Sequence, residues 1–329
     1  MKLSNSQLQN FIQRIKLKRE DMPEYREQVE NLKEELENKI RDDQRTGLKV
    51  TKYTIAGSWK KGTILRPTGV NPIDIDLVLF VEGDENIADD LKKLHDFIVS
   101  YLEEIYPAKD INKDVDAEGQ TKSIKITFKG TGLQVDIVPV VPLSKPKEYV
   151  WQPQRGGGGK YITSVTKQLD FCTALKTSNS NFSSIVRALK WWRNYKELQP
   201  TDDEPGLSSY SIELIVAYQD LNDGIPDSIE DGLIRAFQFI SSGIFPVISF
   251  PSAINNVLKT TTPIYIADNT NNENNTAKKI DSVKWNEIIS EANDAFESLN
   301  IAQAKRNEGD TIEEWKRVFG PSFNITNIN

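Results

Sequence analysis

The sequence holds one cysteine, Cys172, and one histidine, His95, and each scarcity removes a class of chemistry. With a single thiol no intrachain disulfide can form, which fits a reducing compartment. With a single imidazole, a Cys/His zinc site and a histidine-rich metal centre are out of reach. Long apolar runs are also missing. Stretches such as 75–81 and 137–143 fall far short of the ~20 residues that span a bilayer. The opening stretch MKLSNSQLQNFIQRIKLKRE has neither a continuous apolar region nor a small-residue cleavage site. A soluble, cytoplasmic protein with no membrane contact is expected. Excess positive charge is absent as well: 41 Lys plus Arg against 48 Asp plus Glu leaves −7. Such a chain lacks the basic face that long nucleic acid demands. Its chemistry has to run on carboxylates.

The 329 residues suffice for two domains, and the patterning changes character near residue 150. Residues 4–45 read as helix, with Tyr25, Val29, Leu32, Leu36 and Ile40 at three- and four-residue steps and Pro23 starting the long segment. Strands are expected at 49–56, 73–81, 122–129 and 134–140, and a helix at 86–105. The four-glycine run 156–159 reads as a mobile loop. Helices follow at 162–177, 181–196, 208–222, 227–242, 282–304 and 311–319. Residues 269–276, NTNNENNT, are too polar for a core and read as a surface loop. The expectation is thus a mixed α/β lobe over 1–150 and an α-helical lobe over 151–329. Among single residues, His95 reads as a surface histidine, Cys172 as a small buried hydrophobe, and Trp191 and Trp192 as core.

Asp74 and Asp76 stand two apart in a strand, so their side chains share one face, while Ile73, Ile75, Leu77 and Leu79 turn to the other. Asp136 in LQVDIVPV repeats the device between Val135 and Ile137. Adjacent carboxylates repel unless a cation sits among them. Laid side by side, the two strands make a cup for divalent metal, most naturally Mg²⁺. Gly57-Ser58, directly after a strand, supplies a tight turn whose hydroxyl and following amides can hold a triphosphate. An ordinary strand–helix turn with a serine cap has the same geometry. The order of strand, Gly-Ser, helix, Asp-x-Asp strand and a later Asp strand is what sets this chain apart.

G-S-x-x-x-G-T-x-L-R (57–66), D-I-D (74–76) and G-L-Q-V-D-I-V-P-V (132–140) resemble the nucleotidyltransferase superfamily of DNA polymerase β. More closely, they resemble the bacterial cGAS/DncV-like nucleotidyltransferases, the oligonucleotide cyclases of anti-phage CBASS systems. VRALKWWRN (186–194), LSSYSIEL (207–214) and WKRVFGPSF (315–323) extend the likeness over nearly the whole chain. The loop before Asp74 is longer than usual for the family, and IADNTNNENN (266–275) matches only loosely, which leaves a base contact from Asn274 or Asn275 open.

The resemblance implies a two-lobed polymerase-β-like fold, α/β with a C-terminal α lobe. It implies catalysis and metal binding by Asp74, Asp76 and Asp136, with two Mg²⁺ ions for which Mn²⁺ can substitute. Gly57 and Ser58 would hold the donor triphosphate, Lys190 and Ser209 would reach its β/γ oxygens, and Tyr210 would stack on the donor base. The implied activity is synthesis of a cyclic oligonucleotide from nucleoside triphosphates, ATP among them, with release of pyrophosphate. The implied partners are a HORMA-type regulator and an AAA+ ATPase, and no long nucleic acid activator is expected. Two rival readings stand beside it: an RNA 3′-end nucleotidyltransferase of the tRNA-tailing type, and a catalytically inactive nucleotide sensor on the same scaffold.

Overall fold

The structure is a computed structural model and describes all residues except 70, 84–89, 116–120, 154–159, 202–203, 256–257, 259–261 and 328–329. In chain order the first elements are α1 (Asn5–Ile15), α2 (Met22–Asp42), β1 (Lys49–Ile55), α3 (Gly57–Lys61), β2 (Asp74–Glu82) and α4 (Leu91–Ile105). Next come β3 (Asp110–Val115), β4 (Thr121–Phe128), β5 (Leu133–Pro142), β6 (Val150–Pro153) and β7 (Lys160–Thr163). The remaining helices are α5 (Val165–Ser178), α6 (Phe182–Tyr195), α7 (Ser209–Asn222), α8 (Ile229–Ser241), α9 (Ser282–Ala304) and α10 (Glu308–Phe319). Between α8 and α9 lie three short strands, β8 (Val247–Ile248), β9 (Tyr265–Asp268) and β10 (Asn271–Asn275). The four-glycine run lies outside the described residues.

Two compact units result: an α/β unit, Leu17–Leu169, and a helical unit formed by Met1–Lys16 with Asp170–Asn329. The α/β unit is built on a sheet ordered β1-β2-β5-β4-β3, in which β2 and β5 run parallel and the other neighbours on that path antiparallel. Ile73, Ile75, Leu77, Leu79 and Val81 turn one way into a core shared with Leu32 and Leu36 of α2 and Leu94, Ile98 and Leu102 of α4. The opposite face of the same strands carries a second apolar cluster, Val78, Phe80, Val138, Val140, Val150 and Val165.

Two expectations about the N-terminal part need correction. The helix expected over 4–45 is broken, because Lys16 is extended (φ −80°, ψ 155°) and a short 3₁₀ turn spans Arg19–Asp21 before α2. The expected boundary at 150/151 falls at 169/170, and α1 joins the helical unit. Its apolar stripe explains this. The ring centroid of Phe11 lies 4.8 Å from that of Phe323 and 5.4 Å from that of Phe319. Burying one such ring is worth about 1.5–3 kcal/mol.

The NTNNENNT segment is not a surface loop. It supplies the turn and second strand of the β9–β10 hairpin, in which Asp268, Asn269, Thr270, Asn271 and Asn272 are all buried. Asparagine side chains make this possible by pairing with backbone as a strand would. Asn272 accepts from Phe250 N at 2.9 Å and donates to Phe250 O at 3.0 Å. Asn275 accepts from Ile266 N and Ala277 N and donates to Ile264 O and Thr262 Oγ1. His95 is likewise fully buried in α4, because the apolar face of that helix is wider than its leucine stripe. Cys172, Trp191 and Trp192 are buried as expected.

Candidate active site

The parallel pairing of β2 with β5 sets Asp76 directly opposite Asp136 and Asp74 opposite Gln134. Since alternate residues share a face, the three aspartates meet on one side of the sheet. They are half-buried, and one carboxylate oxygen from each lies within 4.8 Å of the other two. On the same face the strands continue as Val78 and Val138 of the second apolar cluster, so the carboxylates stand at the border between water and hydrocarbon. Oxygen ligands in such a group suit a hard divalent cation. The residues present therefore fit the metal that the sequence pattern implies.

Gly57 closes over this group. Ala56 N donates to Asp76 O at 2.8 Å, which brings the turn onto β2, and Gly57 takes φ +55°. A β-carbon on residue 57 would overlap the Asp76 carboxylate, so only glycine serves there. Ser58 follows in α3, half-buried, and its carbonyl accepts from Thr63 N at 2.9 Å, folding the loop back on itself. Of the nearby cations, Lys60 and Arg66 are exposed and Lys61 is buried.

One residue of this face escapes a reading of the sequence. Lys125 of β4 is the cross-strand neighbour of Asp136 and half-buried. Opposed residues of antiparallel strands have β-carbons ~4.5–5.5 Å apart, so the root of a lysine side chain lies next to the acidic group. Its signal is a pairing register, which the sequence does not print.

The remaining expected site residues belong to the helical unit. Lys190 is buried on α6, and Ser209 and Tyr210 open α7, both half-buried. The Tyr210 hydroxyl is 3.0 Å from Asp268 Oδ1 and 2.6 Å from Asn269 Oδ1. Burial and then the Asp268 charge push its pKa well above the usual tyrosine value, so the phenol stays neutral. Asp268 is itself held by Thr270 N and Oγ1 at 2.8 and 2.9 Å. The ring of Tyr210 is thus pinned at its far end by the polar hairpin. Asn275 spends its amide on Ile266 N, Ala277 N, Ile264 O and Thr262 Oγ1, which turns it away from ligand recognition.

Residues 1–188 match the family model described as Second Messenger Oligonucleotide or Dinucleotide Synthetase domain. The chain is also 32% identical over 327 residues to CBASS oligonucleotide cyclase CdnC of Escherichia coli strain KTE188, with 99% of each chain covered. It belongs to this synthetase family. A second relative, the cyclic AMP-AMP-AMP synthase of E. coli strain MS 115-1, is 29% identical over 316 residues, 94% of each chain. Among solved structures, E. coli MS115-1 CdnC with ATP aligns with TM-score 0.79 at 26% identity, covering 98% of this chain and 99% of that one. The CdnC:HORMA-deltaN complex from the same strain aligns at 0.77 and 26%, covering 98% of each chain. The polymerase-β-like architecture expected of this synthetase is therefore the observed one. No helix among the described residues is long and apolar enough to cross a membrane.

Proposed function

We propose that this synthetase joins nucleoside triphosphates, ATP among them, into a cyclic oligonucleotide messenger for CBASS anti-phage signalling. The convergence of Asp74, Asp76 and Asp136 under Gly57 carries the reading, in a chain related along its length to a CBASS cyclase. The three aspartates are the ligands for two Mg²⁺ ions, replaceable by Mn²⁺. Bound there, the ions supply positive charge to the attacking hydroxyl and to the departing pyrophosphate.

The chain's own groups do the rest. Asp136 accepts the proton of a 2′- or 3′-hydroxyl, whose oxygen then bonds to the α-phosphorus of the donor. The bond from that phosphorus to the β-phosphate's bridging oxygen breaks, and pyrophosphate leaves with the electron pair. Repetition and a final closure make the ring. Gly57 and Ser58 hold the donor triphosphate, Lys190 and Ser209 contact its β/γ oxygens, and Tyr210 offers a face to the donor base. Stacking of that kind is worth ~1–3 kcal/mol in single-strand binders. An adenine-containing cyclic trinucleotide is the product we favour, since one relative is named for cyclic AMP-AMP-AMP.

Control follows the solved CdnC:HORMA pairing. A HORMA-type regulator, opposed by an AAA+ ATPase, governs synthesis, and the exposed acidic face of α2, with Glu27, Glu30 and Glu34, is its landing surface.

The test is incubation of the purified protein with labelled nucleotides and Mg²⁺, phosphatase treatment, and thin-layer separation. A phosphatase-resistant cyclic product is expected, absent from Asp76→Asn. Product that grows only on added tRNA would make the protein an RNA-tailing enzyme. Nucleotide binding without any product would make it a sensor.

A further inference from the structure

Arg193, in the last turn of α6, is 6% exposed, and among the described residues every group it touches is neutral. Nη1 donates to Leu207 O at 2.9 Å and to Ser209 Oγ at 3.2 Å, while Nε and Nη2 donate to Asn194 Oδ1 at 3.0 and 2.7 Å. Among the described residues no carboxylate within ion-pair distance completes the set. Burial draws its pKa down to about 10, and at neutral pH the guanidinium remains charged. A buried cation without a counter-ion is costly. Lys190, one helical turn earlier, is buried too, so α6 directs two positive side chains from neighbouring positions on one face.

Ser209 is the acceptor through which this charge can be felt. It is the first residue of α7 and half-exposed, and among the described residues its own hydroxyl proton goes to no protein acceptor. Hydrogen bonds in series polarise one another, so a hydroxyl that accepts from a cation donates more strongly. Ser208 caps Ser211 N, and the positive end of the α7 dipole favours negative charge at the same place.

We infer that Arg193 is a positioning residue of the phosphate subsite: it polarises Ser209 and supplies the buried positive charge that a polyphosphate tail compensates. The inference rests on the nucleotide-binding reading above and adds to it a residue that never needs to touch the ligand. The shared ligand chemistry is that of inorganic polyphosphate, whether the tail of a nucleoside triphosphate or the pyrophosphate released from it.

Tripolyphosphate without divalent metal is the probe, with adenosine as the phosphate-free control, read by thermal shift and calorimetry. Wild-type protein is expected to bind tripolyphosphate. Arg193→Met and Ser209→Ala should each weaken that binding about tenfold, and the double variant should lose little more than either, because the two act as one unit. Adenosine binding should not change, Arg193→Lys should recover part of the loss, and KM for ATP should rise more than kcat falls. Independent, multiplicative losses, or unchanged binding in Arg193→Met while the wild type binds, overturn this inference alone. A wild type that ignores both tripolyphosphate and ATP overturns the nucleotide reading with it. Should Arg193→Met not fold, the Nε–H resonance of Arg193 in the wild type answers instead: it should move on addition of tripolyphosphate, and a fixed resonance overturns the inference.

Discussion

A β-carbon on residue 57 would overlap Oδ2 of Asp76, so the glycine and the carboxylate share one small volume. The backbone of Asp76 is tied to Ala56 N, so the overlap is relieved only by turning or shifting the carboxylate itself. Gly57→Ala must therefore push a ligand of the acidic group out of place, besides forcing alanine into φ +55°. Misplacement by ~1 Å can cost roughly 10²-fold in rate. Cyclic product should fall by about that factor or more, with a stability loss of only ~1–3 kcal/mol by urea denaturation.

Charge, not volume, is removed by Asp74→Asn and Asp76→Asn. Both should abolish product while keeping the fold, and without divalent ions both should melt no lower than the wild type, because repulsion among the aspartates is relieved. Chelation of the wild type should likewise stop synthesis and leave the circular-dichroism spectrum unchanged. Product from a metal-depleted double variant would sink the two-metal reading.

Tyr210 yields a prediction in pH. Its folded pKa is raised above the unfolded value near 10, so its contribution to stability is intact below pH ~10 and is lost as pH climbs toward the folded value. Tyr210→Phe removes that ionisation. The variant's melting temperature should fall less steeply than the wild type's from pH 9.5 upward. At neutral pH it should be lower by the worth of one hydrogen bond, ~0.5–1.5 kcal/mol, and its KM for ATP should be raised.

The polar hairpin predicts a stability cost without a chemical one. Asn272→Ala strands Phe250 N, which among the described contacts donates only to that amide, and leaves Phe250 O with Ala253 N alone. Each buried group left unpaired costs ~1–3 kcal/mol. Urea midpoints should drop accordingly, while activity per folded molecule, fixed by active-site titration, should remain within about twofold.

Reversing charge at Glu27, Glu30 and Glu34 addresses control. Their side of α2 is exposed, whereas Val29, Leu32 and Leu36 face the core, so the fold should tolerate the change. Stimulation by a co-encoded HORMA-type protein should weaken and become less salt-sensitive, and basal synthesis should hold. Equal stimulation of variant and wild type would remove α2 from the interface.

What could be read in the sequence was whatever depends on alternation. Ile-Asp-Ile-Asp-Leu and Val-Asp-Ile force one face apolar and the other acidic, and the parallel register needed only the two strands to be neighbours. Features set by distant partners were hidden. Nothing in the spacing of α1 says that Phe11 packs on Phe323, or that Lys16 must be extended to let it do so. A run of asparagines looks like solvent-exposed loop unless one knows that Phe250 and Ile266 offer backbone for their amides. Strands as short as β8 carry too few residues for a period to show. Lys125 and Arg193 gain meaning only from a neighbour, Asp136 in one instance and Ser209 in the other.

The order in which the two units borrow from the chain bears on synthesis of the protein. The α/β unit is one continuous stretch, so a nascent chain can complete it, aspartates included, as soon as residue 169 has emerged. Helix α1 is made first yet finds Phe319 and Phe323 almost last. Through most of translation its apolar stripe has nothing to lie against. The same arrangement makes the α/β unit an insertion with two crossings into its host, at 16/17 and 169/170, so no single cut releases it.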